Sequence, residues 1–304
     1  MSKHCSVGGQ ALIEGIMMRN KSKISIVIRR KNGELVVEKE TIKAPKGKIS
    51  KLPFLRGLFA LFSSMSVGVK ALTLSARYFE EDEGIVTEEA KFDKYIKKVF
   101  GSKADDVLVL FSIVTALFLA IMLFTVLPTF IISLLRNAVS SQYILSAFEG
   151  VLKMIFFIVY ILLISKMNDV KRVFQYHGAE HKTIHCIESE KELTVENARE
   201  FTTLHPRCGT SFLIFVLIIS ITIFSFITWS NILLRIGLKI VLLPVIAGIS
   251  YEVLKLSGTT ENKFIKMLSK PGLMMQKITT KEPDDQMLEA AIVAVKAVMD
   301  DGEC

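Results

Sequence analysis

The sequence predicts a mainly α-helical, polytopic membrane protein with four transmembrane helices, an amphipathic interfacial helix and a small N-terminal β element. Three observations predict it. The 304 residues are 51% hydrophobic and 22% charged, and the charges are blocked rather than spread. No charge falls in the 29 residues from Val107 to Leu135 or in the 27 from Cys208 to Leu234. About 20 apolar residues cross a bilayer core as helix, so both runs are long enough. Near the start, alternating residues surround an Asn32-Gly33 pair, which is a hairpin signal.

Residues 1–50 are expected to form the β element. Ile24 to Ile28 alternates, Asn32-Gly33 turns, and Glu34 to Ile42 continues extended, while Gly8 to Arg19 reads as a packed turn leading into the sheet. Residues 53–76 place Leu55, Leu58, Phe59, Phe62, Met65, Val69 and Leu72 at helical spacing, broken by Arg56, Ser63, Ser66 and Lys70. That pattern suits a helix lying in the bilayer interface, with a fifth span as the alternative. Residues 77–104, with Glu80-Glu81-Asp82-Glu83 and Glu88-Glu89, read as an acidic linker. Spans follow at 105–136, 144–166, 208–229 and 232–252. The second carries Glu149 and Lys153 and the fourth Arg235 and Lys239; charges in a membrane need partners, so Glu149 is expected to face Lys239 or Arg235. Between the second and third spans lies a His-rich cytoplasmic loop, 167–207. The last segment, 253–304, reads as loop from Pro271 to Pro283 and then a helix from Gln286 to Met299, capped by Asp284 or Asp285.

Charge placement orients the chain. Seven Lys/Arg lie between Lys166 and Arg207 and seven follow Tyr251, against one between Arg136 and Tyr143. By the positive-inside rule both termini and the His-rich loop are cytoplasmic. The net charge of +8 therefore reads as orientation and attraction to membrane lipids, with other membrane proteins as further partners. No basic stripe interleaves with aromatics, so nucleic acid is not expected. Residues 1–20 lack an apolar core with a cleavage site, so no cleavable signal peptide is expected. Cys5, Cys186, Cys208 and Cys304 fall on the predicted cytoplasmic side, where thiols stay reduced.

The chemistry-bearing residues concentrate in the loop. His177 and His181 are four apart, one helical turn, and Glu180 completes the pattern H-x-x-E-H. In such a pattern the imidazoles share a divalent metal, zinc above others, and the carboxylate acts as general base toward a bound water. His185 extends the same face, and His205 and Cys208 are candidates to complete the ligand set. Asp169, Glu188 and Glu252 are weaker candidates. The same histidines could instead cap helices or hydrogen-bond lipid phosphates, and Cys208 could be a small apolar residue at the entry to a span.

Several blocks resemble one family. Gly8-Gly9-Gln10-Ala11-Leu12-Ile13-Glu14-Gly15, Tyr176-His177-Gly178-Ala179-Glu180-His181-Lys182, His205-Pro206-Arg207-Cys208-Gly209-Thr210-Ser211-Phe212, Ile249-Ser250-Tyr251-Glu252 and Pro271-Gly272-Leu273 running on to Gln276 are similar to the YqhQ family of bacterial membrane proteins. The resemblance implies a bacterial cytoplasmic membrane and a metal-dependent enzyme of undefined substrate. It also implies that Glu14, Arg19, Glu180 and Glu252 join the histidines on one face. The expected function is a metal-dependent membrane hydrolase, with His177, His181, His185, His205 and Cys208 around the metal and Glu180 catalytic. The alternative is a non-catalytic scaffold or assembly factor in which the cluster is structural.

Overall fold

The structure, a computed structural model, describes residues 7–42, 55–84, 96, 99–101, 104–135, 137–139, 141–226, 232–257 and 263–299. It is mostly helical, and the chain divides into two compact units: 1–84 with 161–219 and 244–304, and 85–160 with 220–243.

The first unit is built on a four-stranded antiparallel meander, β1 (Val7–Leu12), β2 (Gly15–Asn20), β3 (Lys23–Arg29) and β4 (Leu35–Thr41). The hairpin at Asn32-Gly33 forms as the pattern predicts, with Gly33 at φ 87°. Gly8 to Arg19, expected as a turn, is instead the β1–β2 hairpin, with Glu14 at φ 49° in its bend. Both faces of β2 and β3 are covered, because apolar residues sit at consecutive positions. Ile24, Ile26 and Ile28 face α1 (Leu55–Glu83), packing with Ala71, Val67 and Leu74. Ile16, Met18 and Val27 face the other way, onto α5 (Asn168–Glu188) and α10 (Asp285–Val298). Ser25, buried on that face, donates to the Ala294 carbonyl at 2.6 Å. The cap of α10 is as expected: the Asp284 side chain accepts the Met287 N–H.

Two expectations in this unit are corrected. The helix predicted over 53–76 runs on to Glu83, so the first acidic residues belong to it rather than to a linker. Carboxylates oppose the dipole at a helix C-terminus, and here the β3–β4 turn offsets them: Arg30 pairs with Asp82 at 2.6 Å, the Lys31 N–H donates to Asp82, and Lys31 pairs with Glu83 at 3.1 Å. Arg30 and the Lys31 N–H hold the Asp82 carboxyl below its usual range. Glu88 and Glu89 lie outside the described residues. Second, Pro271 stands inside a helix, α9 (Lys263–Thr279). Its buried positions, Ser269, Gly272, Met275, Gln276 and Thr279, recur every three or four residues and all but Met275 are small or polar, so the turn signal of Pro271-Gly272 outweighs them in the sequence.

The second unit is formed from apolar helices. These are α2 (Ala104–Ile121), a five-residue π segment (Met122–Val126), α3 (Leu127–Leu134), and the parts that fall within the unit of α4 (Gln142–Ile164), α7 (Gly209–Ser225) and α8 (Ile232–Ser257). Glu149 contacts Lys239, pairs with Lys153 at 3.0 Å and accepts from Thr129 at 2.9 Å, so the expected charge pairing is present. Arg235's side chain lies outside the described residues.

Among the described residues, four helical stretches are long and apolar enough to cross a membrane: Phe59–Glu83, Val107–Leu134, Gln142–Ile164 and Ile236–Leu256. Three of the expected spans are among them, and the fourth stretch is α1, for which a span was the alternative reading; the expected third span is helical over the 17 described residues Gly209–Ser225, and its expected end at 227–229 lies outside the described residues.

Candidate metal centre

Tyr176 and Ala179, fully buried against the sheet and α10, fix the roll of α5. His177 and His181 then fall on one face, with ring centroids 4.4 Å apart. The helix can approach the 279–281 segment because residue 178 is glycine; a Cβ there would collide with the Lys281 carbonyl oxygen. The Lys281 N–H donates to the Phe174 carbonyl at 2.9 Å and closes the junction.

That junction sets the His177 tautomer. Its Nδ1 lies 2.9 Å from the Thr279 carbonyl, and a carbonyl only accepts, so Nδ1 carries the proton. Its Nε2 is left as a lone pair, 3.1 Å from Cys208 Sγ. His181 repeats the arrangement: Nδ1–H donates to the Thr203 carbonyl, and Nε2 is buried with no hydrogen-bond partner among the described residues. Carbonyl-oriented imidazoles are how metal-ligating histidines are commonly held. Cys208, buried at the entry to α7, accepts the Thr210 N–H at 3.3 Å. The ligand atoms of His177, His181 and Cys208 all lie within 4.8 Å of one another and could hold a metal ion.

Glu180 borders the same space. The Gly9 N–H donates to its Oε1 at 3.0 Å, and a Cβ on Gly9 would stand 2.7 Å from the Met17 carbonyl and 3.1 Å from the Glu180 carboxyl carbon. A cavity of about 240 Å³ is lined by Glu180, His181, His205, Arg207 and Cys208, with Gly8 and Gly9 on its β1 side.

His185 and His205 belong to a second group, with Glu188. His185 Nε2–H donates to the Leu204 carbonyl at 2.8 Å. His205 has both nitrogens engaged: Nδ1 accepts the Arg207 N–H and Nε2–H donates to Glu188, each at 3.3 Å. Arg207 closes on Glu188 as well. Burial pushes both imidazoles down from the ordinary histidine value, against an upward pull from Glu180 on His205. This is a hydrogen-bonded network of neutral rings around an Arg–Glu pair. Cys186 lies apart from both groups; its thiol faces the Lys191 and Glu192 carbonyls, and burial pushes its pKa up.

Sequence patterns missed what orients the ligands. The Thr203 and Thr279 carbonyls are backbone atoms and leave no signal. Gln276 is fully buried and clamps His205, accepting its N–H and donating to its carbonyl, both at 2.8 Å. It stands at the end of one of the blocks quoted above, so the resemblance could have flagged it. Glu14 pairs with Arg172 rather than with the histidines.

Residues 52–301 match the model of a family described as protein of unknown function, DUF1385. The chain is also 37% identical over 302 residues to "Uncharacterized protein YqhQ" of Bacillus subtilis (strain 168), covering 96% of this chain and 92% of that protein. No solved structure matches. The chain belongs to the DUF1385 family and is related to YqhQ.

Proposed function

We propose that this protein is a zinc-dependent hydrolase of the bacterial cytoplasmic membrane, with both termini and the metal site on the cytoplasmic side. The supporting observation is the orientation of His177 and His181. Each imidazole gives its Nδ1 proton to a backbone carbonyl, leaving Nε2 for an ion beside the Cys208 sulfur. Two nitrogens and a sulfur suit zinc, and three protein ligands leave a coordination position open, as catalytic sites do. Zinc held there supplies Lewis acidity that lowers the pKa of a water and polarises a carbonyl or phosphoryl oxygen.

The chain's own residues do the rest. Glu180 lines the cavity that His181 and Cys208 open onto, so it accepts the proton of the attacking water and returns it to the leaving group. The Gly9 N–H holds one of its oxygens in place. Arg207, on the same cavity, stabilises negative charge as it develops. The Lys/Arg bias supports a cytoplasmic position for this face. Residues Val67, Ala71, Leu74 and Tyr78 of α1 cover the sheet, which favours an interfacial over a spanning role for that helix.

Elemental analysis of the purified full chain, with complementation of a deletion strain, tests this. Wild type carries one zinc per chain, His181→Ala loses it, and Glu180→Gln keeps it without complementing. A metal-free wild type overturns the reading. Full complementation by Glu180→Gln would make the ion structural and the protein a scaffold.

A further inference from the structure

A second cavity, of about 530 Å³, adjoins the metal cavity and shares Gly8, Gly9 and Arg207 with it. Its polar lining is cationic: Arg19, Lys21 and Arg207, with Gln10, Ser64 and Tyr251, and no carboxylate among the residues that form it. Arg207 shares its charge with Glu188. Arg19 uses its Nε on the Lys21 carbonyl and pairs with no carboxylate among the described residues, and the same holds for Lys21. Lys21 sits at φ 53° in the two-residue β2–β3 turn, a conformation that favours glycine. A lysine in such a place carries a backbone cost, and its charge lines the cavity. One wall of the cavity, Ser64 and Val67, belongs to α1, whose Phe59, Phe62 and Met65 are 44%, 62% and 54% exposed. Unpaired cations next to an exposed apolar helix fit a ligand with an anionic head and an apolar tail.

We propose that this cavity binds the phosphate of an anionic lipid headgroup, and that the substrate of the adjoining metal site is a lipid carrying such a phosphate. Binding stands on the cavity alone; the role as substrate rests on the hydrolytic reading above. Charge-assisted contacts from two cations to one phosphate are worth roughly tenfold or more each in affinity. Neither Arg19 nor Lys21 touches the metal ligands, so removing them leaves zinc in place.

Native mass spectrometry of the full chain in neutral detergent tests this with three probes, phosphatidylglycerol, phosphatidylcholine and soluble glycerol phosphate, and zinc content is measured on the same samples. Phosphatidylglycerol is expected to remain bound and phosphatidylcholine to be lost. Arg19→Gln with Lys21→Gln should weaken phosphatidylglycerol binding at least about tenfold with zinc unchanged, while the charge-conserving Arg19→Lys with Lys21→Arg retains it and controls for folding. Equal retention of the two lipids, or no effect of the Gln pair, overturns the proposal. Glycerol phosphate binding as tightly as the lipid overturns the lipid assignment in favour of a soluble phosphate ester. Lipid bound normally to a zinc-free protein overturns the substrate role and the hydrolytic reading, and leaves the lipid site standing.

Discussion

His177 Nε2 stands 3.1 Å from Cys208 Sγ, although the two residues are 31 positions apart and start from different helices. The Thr279 carbonyl, on a third segment, aims the imidazole at the sulfur. Three chain segments therefore converge on one pair of atoms, and disturbing any of them should be visible in the metal binding proposed above.

Gly178→Ala is expected to weaken metal binding without touching a ligand. The added methyl meets the Lys281 carbonyl and pushes the 279–281 segment off α5, moving the Thr279 acceptor of His177. Loss of such an orienting contact typically costs about 10- to 100-fold in metal affinity. Competition with a chelator measures it; an unchanged affinity would show that the segment does not orient His177.

Gln276→Ala should lower stability by about 1–3 kcal/mol, because the buried His205 N–H and carbonyl lose their partner. Gln276→Glu keeps the acceptor for the N–H and should cost less on the acceptor side, but it removes the donor to His205 and Ser211. Chemical denaturation in detergent compares the two.

Stability should fall as pH drops below the ordinary histidine value of 6.5, owing to His185 and His205. Burial lowers both pKa values in the folded protein, so above 6.5 the rings are neutral in both states and their contribution is intact. Below it the unfolded chain takes up protons that the folded chain resists, and stability is lost as pH falls through the folded values. Melting temperatures from about pH 8 to about pH 5 show the trend, and His185→Gln should flatten it.

In the second unit, Glu149→Gln should destabilise more than Lys239→Met. The first removes the carboxylate from both Lys153 and Lys239; the second leaves Glu149 with Lys153 at 3.0 Å. Breaking a buried pair from the side that strands a charge costs about 3–5 kcal/mol. Thermal melts of the two variants in the same detergent rank them; equal losses would mean that Lys153 does not compensate Glu149.

The sequence alone determined which segments are apolar, because burial in lipid or core needs uninterrupted hydrophobic runs and these are local. It also determined the Asn32-Gly33 hairpin, a cap at Asp284 or Asp285 and the one-turn spacing of His177 and His181, all set by neighbours within a few positions. The tertiary structure decided the rest. Whether Glu80 to Glu83 end a helix depended on Arg30 and Lys31, about 50 residues away. Whether Pro271 breaks a helix depended on the packing of a face of Ser269, Gly272, Met275, Gln276 and Thr279, which only the folded chain assembles. In the sequence His177 and His181 stood out by their spacing, and His185, His205 and Cys208 were alike as candidates to complete the ligand set. The five divide into two groups because backbone carbonyls at Thr203, Leu204 and Thr279 fix which ring nitrogen keeps a lone pair, and a backbone acceptor acquires that role only when the chain has folded around it.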